Sequence, residues 1–446
     1  MKRSSKWLRV LMLAVYAGIA SVIALSCSHN SYEGKIVAVE GANLIAIDPL
    51  NPDKPAILLS KDFVSAGSPS VSHEGRYLYF QGKQNENDPW QIWVMDLQKK
   101  SSSQVSDLPE NCIHPASLPD GSVVFSREGE VKDVGVLDLW HCGRDGSGLN
   151  RITFNPAANL HASVLWEGRV LYSSSEQYPV PKNAALMVMR PDGTKSEIYS
   201  RGSGALFPSG KATESANGYV YFISSGGKLS RLKHKRPLHT FENLSEGIAG
   251  SFASVIPFEE NGCLVSYQPS EGEAYGLYLF NPDTRETPTL LYQGEADVTD
   301  PVLIAAMPER PRILPSAVNP SDATGLLMSQ DINHSQEPVH PGITGDTVAD
   351  RIRVSTLEEE LGIIEVKADG SFYLKMDADT PFRIETLNKQ GETVRGPSDW
   401  IYLRPNERRG CVGCHADPEL APKNFQPLAV KEDPVVLSAE KKETSQ

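Results

Sequence analysis

Three absences limit the classes of protein to which this sequence can belong. The formal net charge is −13, from 43 Lys and Arg against 56 Asp and Glu, so the chain lacks the basic excess with which proteins bind nucleic acid or anionic lipid surfaces. No long apolar helical stripe follows residue 25, which argues against a helical bundle. A second Cys-X-X-Cys pair is also missing, so a zinc site built from two such pairs would lack half of its ligands.

Glycine and proline are abundant instead. The chain has 35 Gly and 32 Pro among 446 residues, a composition that favours many short strands joined by turns. A chain of this length is also expected to form two or more domains. The sequence therefore predicts a mainly β protein with more than one domain.

The first 26 residues have the pattern of an export signal. A basic start is followed by an apolar run at 10–25, and no acidic residue precedes Cys27. This pattern is typical of a secretory signal peptide, and a run of sixteen residues is short for a membrane span, which needs about 20. Ala24-Leu25-Ser26-Cys27 resembles a bacterial lipobox, which predicts a lipid on Cys27 and a membrane anchor on the periplasmic side, at the outer membrane. The alternative is an ordinary signal peptide followed by an unrelated cysteine.

A repeat runs through residues 27–309. Five segments share a turn that ends in glycine between two apolar strands, and these glycines lie 44 to 50 residues apart, at Gly75, Gly121, Gly168, Gly218 and Gly262. This period is that of a four-stranded propeller blade, and such units bury their faces only against neighbours, so the array closes into a ring. Segments 35–49 and 300–308 would complete one further unit shared between the two ends. The repeats resemble β-propellers of the TolB type and predict six blades, with seven as the alternative.

Two histidines occupy the same place in successive repeats. His114 and His161 each begin the first strand of a repeat, so they could point into the central channel or toward a cofactor. The interpretation that we favour is that they are turn histidines with satisfied hydrogen bonds.

Three cysteines lie in the repeat region. Cys112 and Cys142 are candidates for a disulfide in an oxidising compartment, although spacing alone does not establish one. Cys263 is expected to be a buried, unreactive thiol.

The repeat stops after Pro308, and a second domain is expected at 310–430. Residues 361–394 alternate apolar and polar side chains, with Asp369-Gly370 placed as a hairpin turn. The segment 311–405 thus predicts a small β-sandwich. The stretch 431–446 is charged and poor in aromatic residues, which predicts a disordered tail. His334 and His340 fit no standard metal spacing and are interpreted as part of an exposed loop.

The sequence Cys411-Val412-Gly413-Cys414-His415 has the spacing of c-type heme attachment. Two thiols at this spacing can bond to the vinyl groups of one heme, and the adjacent histidine is placed to bind the iron. The export signal agrees, since this attachment takes place outside the cytoplasm. A structural disulfide and a different metal remain the alternatives.

Residues 371–415, and most specifically Trp400 to His415, resemble the heme-bearing middle domain of the hydrazine synthase alpha subunit family, which also has a propeller before the heme domain. The resemblance implies one covalent heme c on Cys411 and Cys414, with His415 as iron ligand. It also implies that basic side chains pair with the heme propionates, although a solvated basic turn is equally compatible. Aromatic side chains would pack on the porphyrin or in the core. The basic residues are Arg404, Arg408 and Arg409, and the aromatic residues are Trp400 and Tyr402.

The sequence also departs from this family. Only 31 residues follow His415, and they contain no His, Met or Tyr, so neither a second heme domain nor a downstream ligand is expected. The sixth iron ligand would come from the propeller, from the loop of His334 and His340, from Tyr402 or from water. Hydrazine synthesis is therefore not expected.

These features predict an exported lipoprotein with a TolB-like propeller and a mono-heme cytochrome c domain that acts in periplasmic electron transfer or redox chemistry. One alternative is a heme-dependent oxidoreductase that acts on a small molecule at the domain interface. Another is a non-catalytic lipoprotein for binding or assembly. The expected partners are a membrane, through the lipid anchor, and a redox partner protein, for which the acidic surface suits a basic partner. Nucleic acid is not expected.

Overall fold

The computed structural model describes residues 31–258, 262–307, 309–413 and 426–438. Within these ranges the regular structure consists of 32 strands and one 3₁₀ helix (Leu428–Lys431), so the predicted mainly β class is confirmed. None of the described helical structure is long and apolar enough to cross a membrane. The predicted signal peptide and Cys27 lie outside the described residues.

Six antiparallel units of four strands make up the part of the described chain between residues 36 and 303. Unit 1 contains β1 (Ile36–Glu40), β2 (Asn43–Ile47), β3 (Ile57–Leu58) and, from the far end of the region, β24 (Val298–Leu303). Unit 2 contains β4 (Ser65–Val71), β5 (Tyr77–Lys83), β6 (Gln91–Asp96) and β7 (Ser101–Gln104). Unit 3 contains β8 (Cys112–Ser117), β9 (Val123–Val131), β10 (Val134–Cys142) and β11 (Asn150–Arg151).

The other three units follow the same order. Unit 4 contains β12 (Ala157–Val164), β13 (Val170–Glu176), β14 (Ala185–Met189) and β15 (Glu197–Ser200). Unit 5 contains β16 (Thr213–Glu214), β17 (Tyr219–Ser224), β18 (Lys228–Lys233) and β19 (Glu242–Asn243). Unit 6 contains β20 (Ser251–Phe258), β21 (Gly262–Gln268), β22 (Gly276–Phe280) and β23 (Thr289–Tyr292). A single parallel bridge between Leu137 and Ala158 joins units 3 and 4 into one sheet.

The units close into a ring. Their first strands contact one another in the order β24, β4, β8, β12, β16, β20, and β20 contacts β24. Because side chains alternate across a strand, each unit contributes to two cores: Leu78 and Phe80 pack toward unit 1, whereas Tyr79 packs toward unit 3. This architecture is a β-propeller.

The turn glycines and the shared unit agree with the sequence prediction. Gly75, Gly121, Gly168 and Gly218 lie between the first and second strands of their units with φ of 70°, 90°, 91° and 79°, a region that glycine adopts without strain. Strand β24 pairs with β1 from Leu303 opposite Ile36 to Val298 opposite Glu40. One sheet therefore joins the two ends of the repeat region.

The remaining described strands form two four-stranded sheets. They are β25 (Thr324–Ser329), β26 (Arg351–Thr356), β27 (Glu360–Glu365), β28 (Phe372–Asp377), β29 (Phe382–Leu387), β30 (Thr393–Arg395), β31 (Arg408–Cys411) and β32 (Val435–Leu437). One sheet has the order β31-β25-β28-β32 and the other has the order β27-β26-β29-β30. Leu327 and Leu374 of the first sheet share a core with Ile352 and Ile384 of the second, as the layers of a β-sandwich do.

Two details of the sandwich correct the sequence prediction. The turn at Asp369-Gly370 closes locally, with Lys367 N–H donating to Ser371 O at 2.9 Å, but it does not form a hairpin because β27 and β28 lie in different sheets. A sandwich requires crossings between its layers, and this turn makes one. Strand β32 lies inside the expected disordered tail, where it pairs with β28 and buries Leu437. It covers an edge that would otherwise be unpaired.

The candidate disulfide is not formed. Cys112 and Cys142 are both buried free thiols, and their strands β8 and β10 lie on opposite sides of β9. Two strand spacings amount to about 9.6 Å, which exceeds the Cα separation of about 7 Å that a disulfide tolerates. Cys263 is also free and buried, as the sequence predicts.

Candidate functional site

The Cys-X-X-Cys-His motif begins at the end of an edge strand of the sandwich. Strand β31 pairs in parallel with β25, which places Cys411 opposite Ser329. The backbone N–H of Gln330 donates to Cys411 O at 3.0 Å. These contacts hold the first cysteine of the motif in place, whereas Cys414 and His415 lie outside the described residues.

Gly413 allows the motif to approach a neighbouring turn. A Cβ at this position would lie 2.1 Å from His334 O and 3.0 Å from Asp331 O, too close for any other residue. The turn itself is held by Ile332 N–H, which donates to Gly370 O at 3.0 Å. The motif therefore lies against the backbone of His334, which is half-buried, whereas His340 is exposed as the sequence predicts.

Two buried polar atoms on the residues next to Cys411 in the sheet have no hydrogen-bond partner in the described part of the chain. They are Ser329 Oγ, opposite Cys411, and Gln330 Oε1. Side chains alternate along a strand, so Arg409 and Cys411 share one face of β31, and Cys411 contacts the sandwich core there. Buried polar atoms are normally paired, so this environment suits an added group that offers polar atoms of its own.

Burial dominates the electrostatics of the Cys411 thiol. It raises the pKa of Cys411, the Arg409 guanidinium lowers that pKa, and the Glu197 carboxylate of the propeller raises it. The net direction is upward, so the thiol is held in its protonated form at neutral pH. The involvement of Glu197 also shows that the thiol lies close to the propeller.

The arginines predicted to pair with propionates have different surroundings. Arg404 is buried, with Nη1 2.9 Å from Asp379 Oδ1 and its guanidinium 4.8 Å from the Phe154 ring centroid. Arg409 Nη2 lies 2.8 Å from Glu407 Oε1. Arg408 is exposed. Two of the three arginines thus already have carboxylate partners within the protein.

A cavity of about 320 Å³ lies between the propeller and the sandwich, on the face of β31 opposite to Cys411. It is lined by Thr194, Lys195, Ala317, Asn406, Glu407 and Arg408. The backbone N–H of Lys195 donates to Glu407 Oε1 at 2.8 Å, which joins the two domains at the cavity wall. Lys195 and Arg408 give this cavity positive charge.

Trp400 and Tyr402 pack against the propeller. The indole Nε1–H of Trp400 donates to Tyr178 O at 2.9 Å. The Tyr402 hydroxyl donates to Ile152 O at 3.1 Å. Burial raises the pKa of Tyr402 well above its usual value, so this phenol stays protonated and is poorly suited to bind iron.

An ion-pair network fixes the sandwich to unit 4 of the propeller. Glu176 accepts hydrogen bonds from Arg383 at 2.8 Å and from the backbone of Trp400 at 2.7 Å, and it lies 2.8 Å from Lys182. Asp399 lies 2.8 Å from Lys182 and 2.6 Å from Arg201. Sequence reasoning missed this network, because nothing in a one-dimensional pattern pairs residues that lie so far apart in the chain.

His114 and His161 stack on each other at adjacent first strands. Their ring centroids lie 4.1 Å apart with 32° between the ring planes. The Nδ1 atom of His114 is buried without a hydrogen-bond partner among the described residues. The interpretation favoured from sequence, hydrogen-bonded turn histidines, therefore does not describe His114.

One family model matches the part of the chain that contains the motif. Residues 327–416 match the family model described as the hydrazine synthase alpha subunit middle domain. The predicted resemblance to the hydrazine synthase alpha-like family is confirmed. The matched segment runs from β25 of the sandwich to the residue after the Cys-X-X-Cys-His motif.

Two similar proteins extend the similarity to the propeller. Hydrazine synthase subunit alpha of Kuenenia stuttgartiensis is 23% identical over 511 residues, which cover 84% of this chain and 62% of the relative. The structure of Kuenenia stuttgartiensis hydrazine synthase matches 89% of this chain and 71% of that chain, with a TM-score of 0.75 and 17% identity. The two proteins thus share a fold. TolB from Acinetobacter baumannii matches 60% of this chain and 66% of its own, with a TM-score of 0.46 and 14% identity.

Proposed function

We propose that the protein is an exported lipoprotein with a six-bladed propeller and one covalent heme c, and that it acts in periplasmic electron transfer or redox chemistry. The observation that carries the proposal is the match of residues 327–416 to the hydrazine synthase alpha middle domain, because this segment includes the whole Cys-X-X-Cys-His motif. The six four-stranded units would be the blades.

The residues of the motif would each have a defined role. Cys411 and Cys414 would hold the heme through thioether bonds, and His415 would bind the iron. A bound heme supplies one-electron oxidation and reduction. The pairing of β31 with β25 and the contact of Gly413 with His334 fix where the motif begins. Exposed Arg408 suits a propionate at the surface, whereas Arg409 would have to exchange its ion pair with Glu407 for one.

A spectrum of the denatured protein tests the heme. The full chain is expressed with cytochrome c maturation machinery, and the pyridine hemochrome spectrum is recorded beside that of a Cys411→Ser/Cys414→Ser variant. Cys263→Ser is the matched control, because it removes a buried thiol in the propeller. We expect a c-type band in the wild type and the control only. A chain that matures without covalent heme would refute the cytochrome function.

Lipidation of Cys27 is the second part of the proposal. It is supported by the apolar run and the lipobox-like residues that precede Cys27. Metabolic labelling with a radioactive fatty acid should mark the wild type and not Cys27→Ala. Label on both proteins, or on neither, would refute the anchor and with it the localisation at the periplasmic side of the outer membrane.

A heme enzyme that acts on a small molecule is the alternative, and the cavity at the domain interface favours it. The cavity is large enough for a small ligand, and Lys195 and Arg408 would attract an anionic one. The two functions differ in the iron: electron transfer predicts a low-spin spectrum that ignores added ligands, whereas the enzyme predicts a high-spin spectrum that shifts with nitrite or cyanide. The relative is named as a subunit, which supports a protein partner in either case.

A further inference from the structure

The first strands of four propeller units share an unusual backbone feature. Ser68, His114, His161 and Asp300 have φ of 48°, 53°, 56° and 49°. Each of them lies within a register shift of its strand, in units 2, 3, 4 and 1 respectively. The first strands form the inner circuit of the ring, so these equivalent positions come together at the central channel.

Lys211 occupies the corresponding place in unit 5. Ser68, His114 and His161 each precede the turn glycine of their own repeat by seven residues, and Lys211 precedes Gly218 by the same number. This spacing is the sequence signal that could have identified Lys211, and it extends the pair of histidines to a set of titratable residues around the channel.

Electrostatic interactions link these residues, in addition to the stacking of His114 on His161. Burial lowers the pKa of His161 to about 4, with a smaller contribution from the cation of Lys211. Burial also lowers the pKa of His114, and His161 and Lys211 lower it further. Burial lowers the pKa of Lys211, whereas the Asp300 carboxylate raises it. Burial raises the pKa of Asp300, whereas the Lys211 cation lowers it. At neutral pH the two imidazoles are therefore neutral, and Lys211 and Asp300 favour the charged forms of each other.

The chemistry of the cluster favours an anionic ligand over a metal. Among the described residues there is no group of three or more His, Cys, Asp and Glu that could hold a metal ion, and the cation of Lys211 next to the histidines would repel one. A neutral imidazole has one N–H donor. Nδ1 of His114 is buried and has no hydrogen-bond partner among the described residues, so the ring retains unused hydrogen-bonding capacity.

We propose that this part of the channel binds a small monocarboxylate, held by the ammonium group of Lys211 and by ring N–H groups of His114 and His161. Asp300 limits the site to a single negative charge, because it would repel a second one. This site is independent of the heme motif and of the proposed redox function.

Histidine ring signals in the NMR spectrum of the full mature chain provide the test. Sodium acetate is titrated into one sample, and sodium chloride is titrated into a parallel sample at matched ionic strength. The signals are assigned with His114→Gln and His161→Gln. We expect saturable shifts with acetate and none with chloride. Lys211→Met should weaken acetate binding at least ten-fold, Lys211→Arg should retain it within a few-fold, and Asp300→Asn should tighten it two- to ten-fold.

Lys233→Met is the matched control, because Lys233 is an exposed lysine of the same unit, and it should bind acetate as the wild type does. An equal response to chloride would overturn the proposal, as would unchanged binding in Lys211→Met. Stoichiometric zinc binding that His114→Gln abolishes would overturn it in favour of a metal site. If Lys211→Met fails to fold, loss of binding in Lys211→Arg would count against the proposed role of the cation.

Discussion

Replacing Glu176 with Gln should loosen the sandwich from the propeller. The substitution keeps the size of the side chain but removes the negative charge that forms ion pairs with Arg383 and Lys182 and accepts a hydrogen bond from the backbone N–H of Trp400. The side chains of Arg383 and Glu176 are only 11% and 9% exposed, so water cannot replace the lost counter-ion effectively. The guanidinium of Arg383 would remain at the interface without a paired carboxylate.

The expected magnitude follows from these contacts. Removing one partner of a buried ion pair costs about 3–5 kcal/mol. The pair with Lys182, whose side chain is 44% exposed, adds about 0–1 kcal/mol. The amide oxygen of Gln still accepts one hydrogen bond, which recovers about 1 kcal/mol. We therefore expect Glu176→Gln to lower the free energy of unfolding by about 2–5 kcal/mol.

Urea unfolding followed by tryptophan fluorescence measures this change, since Trp400 lies at the interface. Glu358→Gln is the matched control: its pair with Lys132 also spans the two domains, but the Glu358 side chain is 69% exposed, so the loss should stay below about 1 kcal/mol. A double-mutant cycle with Arg383→Met isolates the central pair. Equal effects of the two glutamine variants, or no coupling in the cycle, would refute the reasoning.

Three further predictions concern single sites. Burial raises the pKa of Asp399, but its cationic neighbours outweigh this effect and lower the pKa from 3.8 to about 2. The contribution of Asp399 to stability should therefore be complete above about pH 4 and vanish toward pH 2. The urea midpoints of the wild type and of Asp399→Asn should converge as the pH falls to about 2. Gly413→Ala should lower the yield of covalent heme. Gly410→Ala is the control and should leave the yield unchanged, because its Cβ would meet only Met328 Cε at 3.6 Å. Equal yields would contradict the steric argument. Thiol titration of the denatured, unreduced protein should find Cys112 and Cys142 both reactive, and a missing pair would show that they are oxidised.

The propeller was accessible from sequence because its determinants are local and repeated. Four of the five predicted turn glycines have positive φ, whereas Gly262 begins a strand. Apolar residues on both faces of a strand indicate burial against two neighbours. The pairing of β24 with β1 followed from unpaired strands at the two ends of the repeat. These signals concern backbone conformation and burial, which composition and spacing record.

The site was less accessible because its partners are distant in the chain. Arg383 and Glu176 are 207 positions apart, and the pairing of Arg404 with Asp379 depends on how the sandwich strands come together. The turn at Asp369-Gly370 shows the same limit: turn chemistry predicts a change of direction, but tertiary packing decides whether the next strand joins the same sheet.

The shared unit of the propeller also determines when the ring can form during synthesis. Residues Ile36 and Leu303 become neighbours in one sheet, so a ribosome must complete nearly the whole repeat region before β1 obtains its second partner. Until then the emerging chain presents an open strand edge, which is prone to aberrant association. A chain interrupted before Val298 would keep this edge permanently, so truncation within the last repeat should yield aggregates rather than a smaller propeller.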